Sequence, residues 1–265
     1  MTSGQQLFAD ALTSCRLWRV WTFLGGQDIK TRFRRSFIGP LWILLNLGLF
    51  VGGAGVVYGV MFGQPMREFL PFVITGVVIW GFLLSSFTEA GGAFVGAEGY
   101  IKQFSYPKQI YLLRALVTYS IVLLIGFCAV ILMQIVIGGF EATGWLLAIP
   151  GLALLVIAAL AHITISAYVG TRFRDWPHAL AGLLQVIFFV TPIMYPIKLL
   201  QAKHLDFVYK LNPLYYLVDI VRHPILTGSF APTENYGFAL VYILLIWIIA
   251  IFVARKLDNR LVFLL

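Results

Sequence analysis

Six long stretches of this sequence contain no Asp, Glu, Lys or Arg. They cover residues 36–66, 69–88, 115–140, 142–171, 176–197 and 235–254. Each is close to or above the roughly 20 residues that cross a bilayer as a helix. The stretches are apolar on every face, whereas strands of membrane β-barrels alternate over ~10 residues. Because lipid offers backbone groups no hydrogen-bond partner, the sequence predicts an all-α polytopic membrane protein with six transmembrane helices.

The predicted spans form one membrane domain. The chain is 60% hydrophobic and 11% charged, whereas soluble domains are roughly 45–50% apolar, and no polar linker divides it. The predicted organisation is a cytoplasmic leader at 1–37 followed by a transmembrane domain at 38–265, with spans near 40–63, 69–92, 112–138, 144–170, 177–197 and 236–255. The segment between the last two spans, 198–234, is semi-apolar and predicts short re-entrant helices on the outer side.

Basic residues lie mostly on one side of this topology. They occur in the leader, after the second and fourth spans and near the end of the chain. Of the 19 Lys and Arg residues, the other side holds only Arg67, Lys198, Lys203, Lys210 and Arg222. Because cytoplasmic loops are enriched in Lys and Arg, both termini are predicted to be cytoplasmic. The net charge of +8 thus follows from topology and gives no reason to expect a nucleic-acid partner.

The leader, roughly residues 17–37, mixes large apolar side chains with basic ones. This mixture predicts an amphipathic helix in the membrane interface, interrupted at Gly25-Gly26; a solvated basic flank is the alternative. In the first span, Gly48/Gly52 and Gly55/Gly59 are spaced for close helix packing.

Two other segments are candidates for functional contacts. The loop of residues 98–108 is too long for a tight turn and could dock a soluble partner or be an ordinary connection. The fifth span ends in TPIMYP, residues 191–196, and beyond it two short apolar pieces flank Asn212-Pro213. In the second piece, Asp219 and Arg222 are spaced to form an i, i+3 pair.

Several kinds of chemistry lack their sequence signatures. No G-x-x-x-x-G-K-[ST] segment occurs, so no phosphate-cradling loop of that type binds ATP. The four histidines are scattered, and no Cys/His cluster has metal-ligand spacing. Cys15 and Cys128 are predicted to lie too far apart in depth for a disulfide. Glu89, near the end of the second predicted span, and His162, inside the fourth, are ionisable groups in apolar surroundings and so are candidates for a direct transport role, although a proton-coupled carrier usually needs several such groups.

The motifs together resemble a known family. Residues 28–42, DIKTRFRRSFIGPLW, resemble the leader of the membrane subunits of ABC exporters for O-antigen, capsular polysaccharide and teichoic acid. The resemblance continues in Tyr106-Pro107-Lys108 after the second span, in TPIMYP at the end of the fifth, and in Asn212-Pro213-Leu214 with Arg222. It covers nearly the whole chain.

The resemblance implies an assembly in the bacterial cytoplasmic (inner) membrane. Two copies of the chain would form a pore, and two copies of a separate ABC ATPase subunit would dock on the cytoplasmic side. The chain itself would bind no cofactor, because ATP and Mg²⁺ belong to the partner subunit. The implied substrate is a polysaccharide on a polyprenyl diphosphate lipid, and membrane lipids surround the complex.

The resemblance also implies roles for particular residues. A substrate headgroup site would comprise Lys30, Arg32, Arg34 and Arg35, since one guanidinium group can bind two phosphate oxygens at once. The alternative explanation for this basic cluster is that it sets the topology and attracts anionic lipid. Coupling to the ATPase would involve Asp28, Glu98, Tyr100, Lys102, Tyr106, Pro107 and Lys108. The channel and its outer gate would involve Tyr195, Pro196, Asn212, Pro213, Tyr215, Tyr216 and Arg222.

Three other functions compete with this interpretation. An exporter of the same architecture for a drug or small lipid would share the leader. A membrane-embedded glycosyl or acyl transferase would need a cluster of carboxylates or a His on a membrane-facing loop, and only isolated ones occur. A secondary carrier would need coupling-ion groups or an internal repeat, and neither is evident.

Overall fold

The computed structural model describes residues 3–104 and 106–265, and all regular secondary structure within these ranges is helical. The helices are α1 Ser3–Arg16, α2 Trp18–Arg32, α3 Leu41–Phe62, α4 Met66–Phe87, α5 Glu98–Gln103, α6 Gln109–Ile137, α7 Ala142–Leu147, α8 Ile149–Arg172, α9 Trp176–Val190, α10 Ile197–Gln201, α11 Asp206–Lys210, α12 Pro213–Thr227, α13 Thr233–Leu257 and α14 Leu261–Leu264. Short 3₁₀ turns occupy Glu89–Gly92, Val95–Ala97 and Asp258–Arg260. The prediction of an all-α protein is confirmed.

Within the described ranges, five helical stretches are long and apolar enough to cross a membrane. They are Leu41–Phe62, Met66–Gly92, Gln109–Ile137, Ala142–Arg172 and Thr233–Leu264. The stretch expected to be the fifth span is instead α9, a shorter apolar helix of 15 residues. Such a helix is about 22 Å long, less than the ~30 Å hydrocarbon thickness. It ends at Val190 because Pro192 lacks an amide hydrogen and disfavours helical geometry in the residue before it.

The core of the bundle is formed where α4 and α8 meet the other long helices. On α8, Ala158, Ala159 and Ala167 have no exposed surface, so neighbouring helices approach its backbone closely. Gly170 of α8 lies so close to the 3₁₀ turn that an added Cβ would be 2.5 Å from the Gly91 carbonyl oxygen. Small residues on α8 therefore determine how tightly the bundle closes.

Helix α12 is enclosed by other helices along nearly its whole length. Every residue from Leu214 to Arg222 is buried, and the helix contacts α4, α7, α8 and α13. Gly144 and Gly151 have no room for a Cβ against the backbone carbonyls of Pro224 and Ile220. These two glycines therefore allow α7 and α8 to lie directly against the backbone of α12.

A hydrogen-bond chain fastens the far end of α12 to two other helices. Gln134 Nε2 of α6 donates to the Ile225 carbonyl at 3.1 Å, and Trp145 Nε1 of α7 donates to Gln134 Oε1 at 2.9 Å. These bonds satisfy buried polar groups that lipid could not.

The leader forms two helices, α1 and α2, which meet at Leu17, and α2 packs along α6. The predicted interruption at Gly25-Gly26 is wrong, because α2 continues through both residues. Gly25 faces α6 so closely that a Cβ would be 2.7 Å from Val117 Cγ1 and 2.9 Å from the Arg114 carbonyl oxygen. Gly26 has no such neighbour within 4 Å. The first glycine is therefore needed for packing between helices.

The two glycines provide a matched test of this packing. Gly26→Ala should leave stability unchanged or raise it by up to about 1 kcal/mol, because alanine favours helix. Gly25→Ala should lower the free energy of unfolding by roughly 1–3 kcal/mol, because the methyl group overpacks the contact with α6. Thermal unfolding of the two variants in detergent compares them directly, and equal stability would show that α2 does not pack closely on α6.

Candidate functional site

The leader is fixed to α6 by a bidentate ion pair. Arg114 Nε donates to Asp28 Oδ2 at 2.7 Å and Arg114 Nη2 donates to Asp28 Oδ1 at 2.5 Å. The Thr118 hydroxyl adds a third donor to Asp28 Oδ2 at 3.2 Å. Both charged side chains are partly buried, and paired bonds of this kind are among the stronger ones in proteins. Asp28, which was predicted to couple to an ATPase, thus has an internal partner on α6.

The four residues of the predicted headgroup site, Lys30, Arg32, Arg34 and Arg35, are all exposed. They lie at the end of α2 and in the turn that leads to α3, where Arg35 adopts a left-handed backbone with φ 72°. Arg32 Nη1 is 3.7 Å from Glu89 Oε2, and Ser85 also donates to Glu89 at 3.1 Å. Among the described residues, no carboxylate lies within 4 Å of the other three cations. The cluster therefore presents free positive charge.

The loop after the second predicted span contains α5 and a strip of aromatic side chains. Tyr100, Phe104 and Tyr106 are each about half exposed, and consecutive rings lie 6.3 and 6.1 Å apart between centroids. Glu98 and Lys102 form an exposed i, i+4 pair at 2.6 Å. The hydrogen bond from Lys102 lowers the pKa of the Glu98 carboxyl. Exposed aromatic and charged groups of this kind are typical of protein contact surfaces.

Lys108, at the end of the same loop, is bound to the far end of the chain. Its Nζ donates to the Asp258 carbonyl oxygen at 2.8 Å and to Asp258 Oδ2 at 3.2 Å. The Tyr168 hydroxyl donates to Asp258 Oδ1 at 2.7 Å. Asp10 of α1 lies nearby; burial and the charge of Asp258 raise the pKa of its carboxyl, and Lys108 opposes the shift. The cluster joins the ends of α6, α8 and α13.

Asn212 fastens the start of α12 to the end of α9. Its side-chain oxygen accepts a hydrogen bond from the Leu214 amide at 3.0 Å, which is the usual role of Asn before a helix. Its Nδ2 donates to Thr191 Oγ1 at 2.6 Å. Pro213 occupies the first helical position, where its missing amide hydrogen costs nothing.

Arg222 is the largest fully buried side chain of α12, with only 2% of its surface exposed. Its Nη1 donates to the Pro192 carbonyl at 2.8 Å, and its guanidinium lies 4.0 Å from the centre of the Phe72 ring. The i, i+3 pair with Asp219 suggested by the sequence does not form within 4 Å in the described chain. Asp219 instead accepts from Asn235 Nδ2 at 2.8 Å.

The aromatic residues predicted to line the channel contact other residues of the same chain. Tyr215 and Tyr216 are buried, and Tyr216 stacks on Phe238 at 4.7 Å and donates to the Lys210 carbonyl at 2.8 Å. The Tyr195 hydroxyl donates to the Phe189 carbonyl at 2.9 Å, and Pro196 precedes α10. In this conformation neither Tyr215 nor Tyr216 presents its ring at a surface.

His162 has a structural environment. Its Nε2 is 2.7 Å from the Tyr242 hydroxyl, its Nδ1 is 3.3 Å from Ser86 Oγ, and Phe87 stacks on its ring at 3.8 Å. Both ring nitrogens have neutral partners, so the imidazole joins α4, α8 and α13 as a hydrogen-bonded core residue.

Two amide side chains that the sequence did not single out are exposed on apolar helices. Asn46 lies on α3 and Gln185 on α9, and both are exposed. Amides are costly against lipid and usually face protein or water. The signal that could have found them is a polar residue inside an apolar stretch.

Both amides can be placed in depth against α4, which packs against α3 and α9. Contacts of Gly59 with Met66 and of Gly91 with Pro177 make α3 and α9 antiparallel to α4. Asn46 therefore lies at the depth of the middle of the Met66–Gly92 span. Gln185 lies about one helical turn from that depth, toward Gly92.

The described residues contain no group of three or more His, Cys, Asp or Glu side chains that could hold a metal ion. Cys15 and Cys128 are both free thiols.

Residues 20–226, from the first turn of α2 to the last turn of α12, match the family described as ABC-2 type transporter. The chain belongs to the ABC-2 type transporter family. Most of helix α2 of the leader, the aromatic loop and all but the last residue of α12 lie within the matched range, so these are elements of an ABC-2 membrane protein.

Curated relatives carry transport names. An O-antigen export system permease protein of Myxococcus xanthus is 27% identical over 201 residues, which cover 72% of this chain and 74% of the relative. A second such permease protein, from Klebsiella pneumoniae, is 24% identical over 252 residues, 92% of this chain and 94% of the relative. A polysialic acid transport protein of Escherichia coli is 24% identical over 240 residues, 87% and 89% of the two chains.

The ion pair between leader and α6 can be tested in this ABC-2 protein by Asp28→Asn. The variant should lose roughly 1–3 kcal/mol of stability, because Arg114 keeps its charge in a partly buried site without a carboxylate. The midpoint of thermal unfolding in detergent, together with protease cleavage of α2, measures the change. The control Glu98→Gln removes an exposed ion pair and should change neither the unfolding midpoint nor the cleavage of α2. An equal loss of stability in both variants would show that the Asp28 pair stabilises the fold no more than an exposed pair does.

Proposed function

We propose that this chain is the transmembrane subunit of an ATP-driven exporter that moves a polyprenyl-diphosphate-linked polysaccharide across the bacterial cytoplasmic membrane. The observation that carries the proposal is family membership combined with relatives named for O-antigen export and polysialic acid transport. The substrate therefore belongs to the O-antigen, capsule or teichoic acid class. The chain acts as a transport subunit and not as an enzyme.

In this proposal the chain crosses the membrane six times and both termini are cytoplasmic. α9 together with the non-helical residues 191–195 makes the fifth crossing, because the added chain extends its ~22 Å toward the hydrocarbon thickness. The basic leader lies on the cytoplasmic side, as the distribution of Lys and Arg favours. α2 lies in the interface, with Trp18 and Phe23 exposed beside basic residues.

The working assembly contains two copies of this chain. α3 is mostly exposed, and on it Gly48 and Gly52 have no neighbour within 4 Å, while Gly55 and Gly59 are buried against α4. α9 buries only Leu184. These uncovered helices suit packing against a second copy, and Asn46 and Gln185 suit the wall of a hydrated passage between the copies.

Lys30, Arg32, Arg34 and Arg35 receive the diphosphate headgroup at the cytoplasmic interface. Their support is the free positive charge at the turn between α2 and α3. Arg guanidinium groups bind phosphate oxygens in pairs, and a lysine adds charge. The Arg32–Glu89 contact is long and exposed, so it contributes little and a phosphate could replace it.

Two groups of residues couple this chain to two copies of a separate ABC ATPase, which holds ATP and Mg²⁺. Glu98, Tyr100, Lys102, Tyr106 and Pro107 make the surface that the ATPase presses on, since their loop is largely exposed. Asp28 and Lys108 transmit the movement, because their partners Arg114 and Asp258 belong to the long helices or their ends.

The outer gate is built from α10 to α12 and the end of α9. Asn212 and Arg222 hold α12 against Thr191 and Pro192, and Pro213 begins that helix. Tyr195 and Pro196 follow this junction in the chain, and Tyr215 and Tyr216 lie in the first turn of α12. Opening the gate requires these bonds to break and reform, and rings that are covered in the closed conformation become part of the exit.

The headgroup proposal is tested by replacing Arg32, Arg34 and Arg35 together with Gln. Export of labelled glycan to the cell surface should fall to background in cells that also produce the ATPase, because the diphosphate loses its bidentate donors. Copurification of the ATPase with the variant should be unchanged.

The matched control replaces three cations of the opposite side, Lys198, Lys203 and Lys210, with Gln. It should retain export, because these cations are exposed on or beside α10 and α11, away from the leader. Normal export by the leader variant would contradict the headgroup role. Substrate movement by the purified chain without any ATPase would contradict the proposed function as a whole.

The gate is tested by Arg222→Met, which keeps a long apolar stem but removes the hydrogen bond to Pro192. Liposomes containing the variant should leak a small dye faster than those with the unchanged chain, because the break after α9 loses a donor. Lys198→Met is the control, since that side chain is exposed. Equal leak rates would remove Arg222 from the gate.

A further inference from the structure

An apolar cleft of about 340 Å³ lies between the leader helix α1 and the helices α6, α8 and α13. Its walls include Leu7, Phe8 and Ala11 of α1 and, opposite them, Leu112, Leu160 and Trp247. The volume lies within the roughly 300–1,000 Å³ of ordinary ligand pockets. The cleft is separate from the headgroup cluster, the aromatic loop and the α12 junction.

The cleft has a polar end and an apolar end. Arg255, near the end of α13, lines the polar end and is exposed, and Arg16 directly follows the lining residue Cys15. Trp247 lies eight residues earlier on α13, about 12 Å deeper along the helix. A ligand that fits must therefore carry negative charge at one end and a long apolar part at the other.

A buried amide strengthens this conclusion. Both side-chain polar atoms of Gln109, the first residue of α6, are buried and have no hydrogen-bond partner in the described chain. Gln109 lines the cleft. Buried polar groups without partners are rare in proteins because each costs free energy, so we expect a ligand atom to form a hydrogen bond with this amide.

We propose that the cleft binds one acyl chain of an anionic phospholipid from the leaflet on the leader side, with the phosphate at Arg255 and an ester group at Gln109. A lipid in this position links α1 to α6 and α13, with which the leader helix otherwise shares few contacts. The proposal does not depend on which substrate the exporter carries. It predicts that α1 is held in place by a lipid as well as by protein.

The amphipathic form of α1 agrees with this arrangement. Leu7, Phe8, Ala11 and Cys15 share the face that lines the cleft, as i, i+4 and i+8 spacing requires. Asp10 lies toward the Lys108–Asp258 cluster instead. The helix therefore turns its apolar side chains to the lipid and a carboxylate to protein.

The test uses phosphatidylglycerol with a photoreactive group in its acyl chain, added to the purified full chain in uncharged detergent. After illumination, labelled peptides should come from α1, α8 and α13 at the cleft, and unlabelled phosphatidylglycerol in excess should compete. Labelling spread evenly over all bilayer-facing helices, without competition, would overturn the proposal.

Two matched pairs of variants sharpen the test. Ala11→Trp fills the cleft and should abolish the competed labelling, whereas Leu12→Trp, at an exposed neighbour outside the cleft, should retain it. Arg255→Gln should weaken phosphatidylglycerol binding about tenfold, as loss of one charge-assisted bond predicts. Lys256→Gln should not, since the Lys256 ammonium lies over Phe252.

A polyprenyl phosphate probe distinguishes the other source of an anionic headgroup with an apolar tail. Phosphatidylglycerol should displace it from the cleft. If the polyprenyl phosphate labels the cleft and phosphatidylglycerol fails to compete, the cleft belongs to the transported lipid and the phospholipid proposal is wrong.

Discussion

A backbone that breaks inside a membrane must find its hydrogen-bond partners within the protein. This chain breaks after α9, where Pro192 prevents the helix from continuing. The Tyr195 hydroxyl donates to the exposed carbonyls of Phe189 and Val190, and Arg222 donates to that of Pro192. Because Arg222 belongs to α12, the broken helix and the buried helix depend on each other. Two further features hold α12 in this position. Glycines of α7 and α8 let its backbone pack closely against them, and Asn212 joins its first turn to the residue after α9.

At the other end of the molecule, polar contacts join peripheral elements to the long helices. The Asp28–Arg114 pair connects α2 to α6, and the Lys108–Asp258 pair connects the aromatic loop to the end of α13. The leader and the loop are therefore joined to the long helices through charged contacts that are partly shielded from solvent. The exposed Arg and aromatic residues take no part in these two ion pairs.

Several sequence-based expectations failed for reasons of local geometry. Gly25-Gly26 suggests a break, yet Gly25 serves close packing against Val117 and the helix continues. Asp219 and Arg222 have the spacing of a pair, but Asn235 and the Pro192 carbonyl lie nearer to them. A hydropathy profile does not identify Asn46 or Gln185, because one amide hardly changes the mean hydropathy of an apolar stretch. The first two failures concern partners that are distant in sequence.

The sequence by itself determined the membrane class, the all-helical architecture and the family, since these depend on long apolar stretches and on motifs that are continuous along the chain. Only the tertiary structure decided that Asp28 and Lys108 have internal partners, that α12 is enclosed, and that the cleft beside α1 contains an unpaired amide. The physical reason is that a span is selected by its own transfer free energy into lipid. A hydrogen bond or ion pair between helices depends on which surfaces meet, and a single sequence does not encode that in any local pattern.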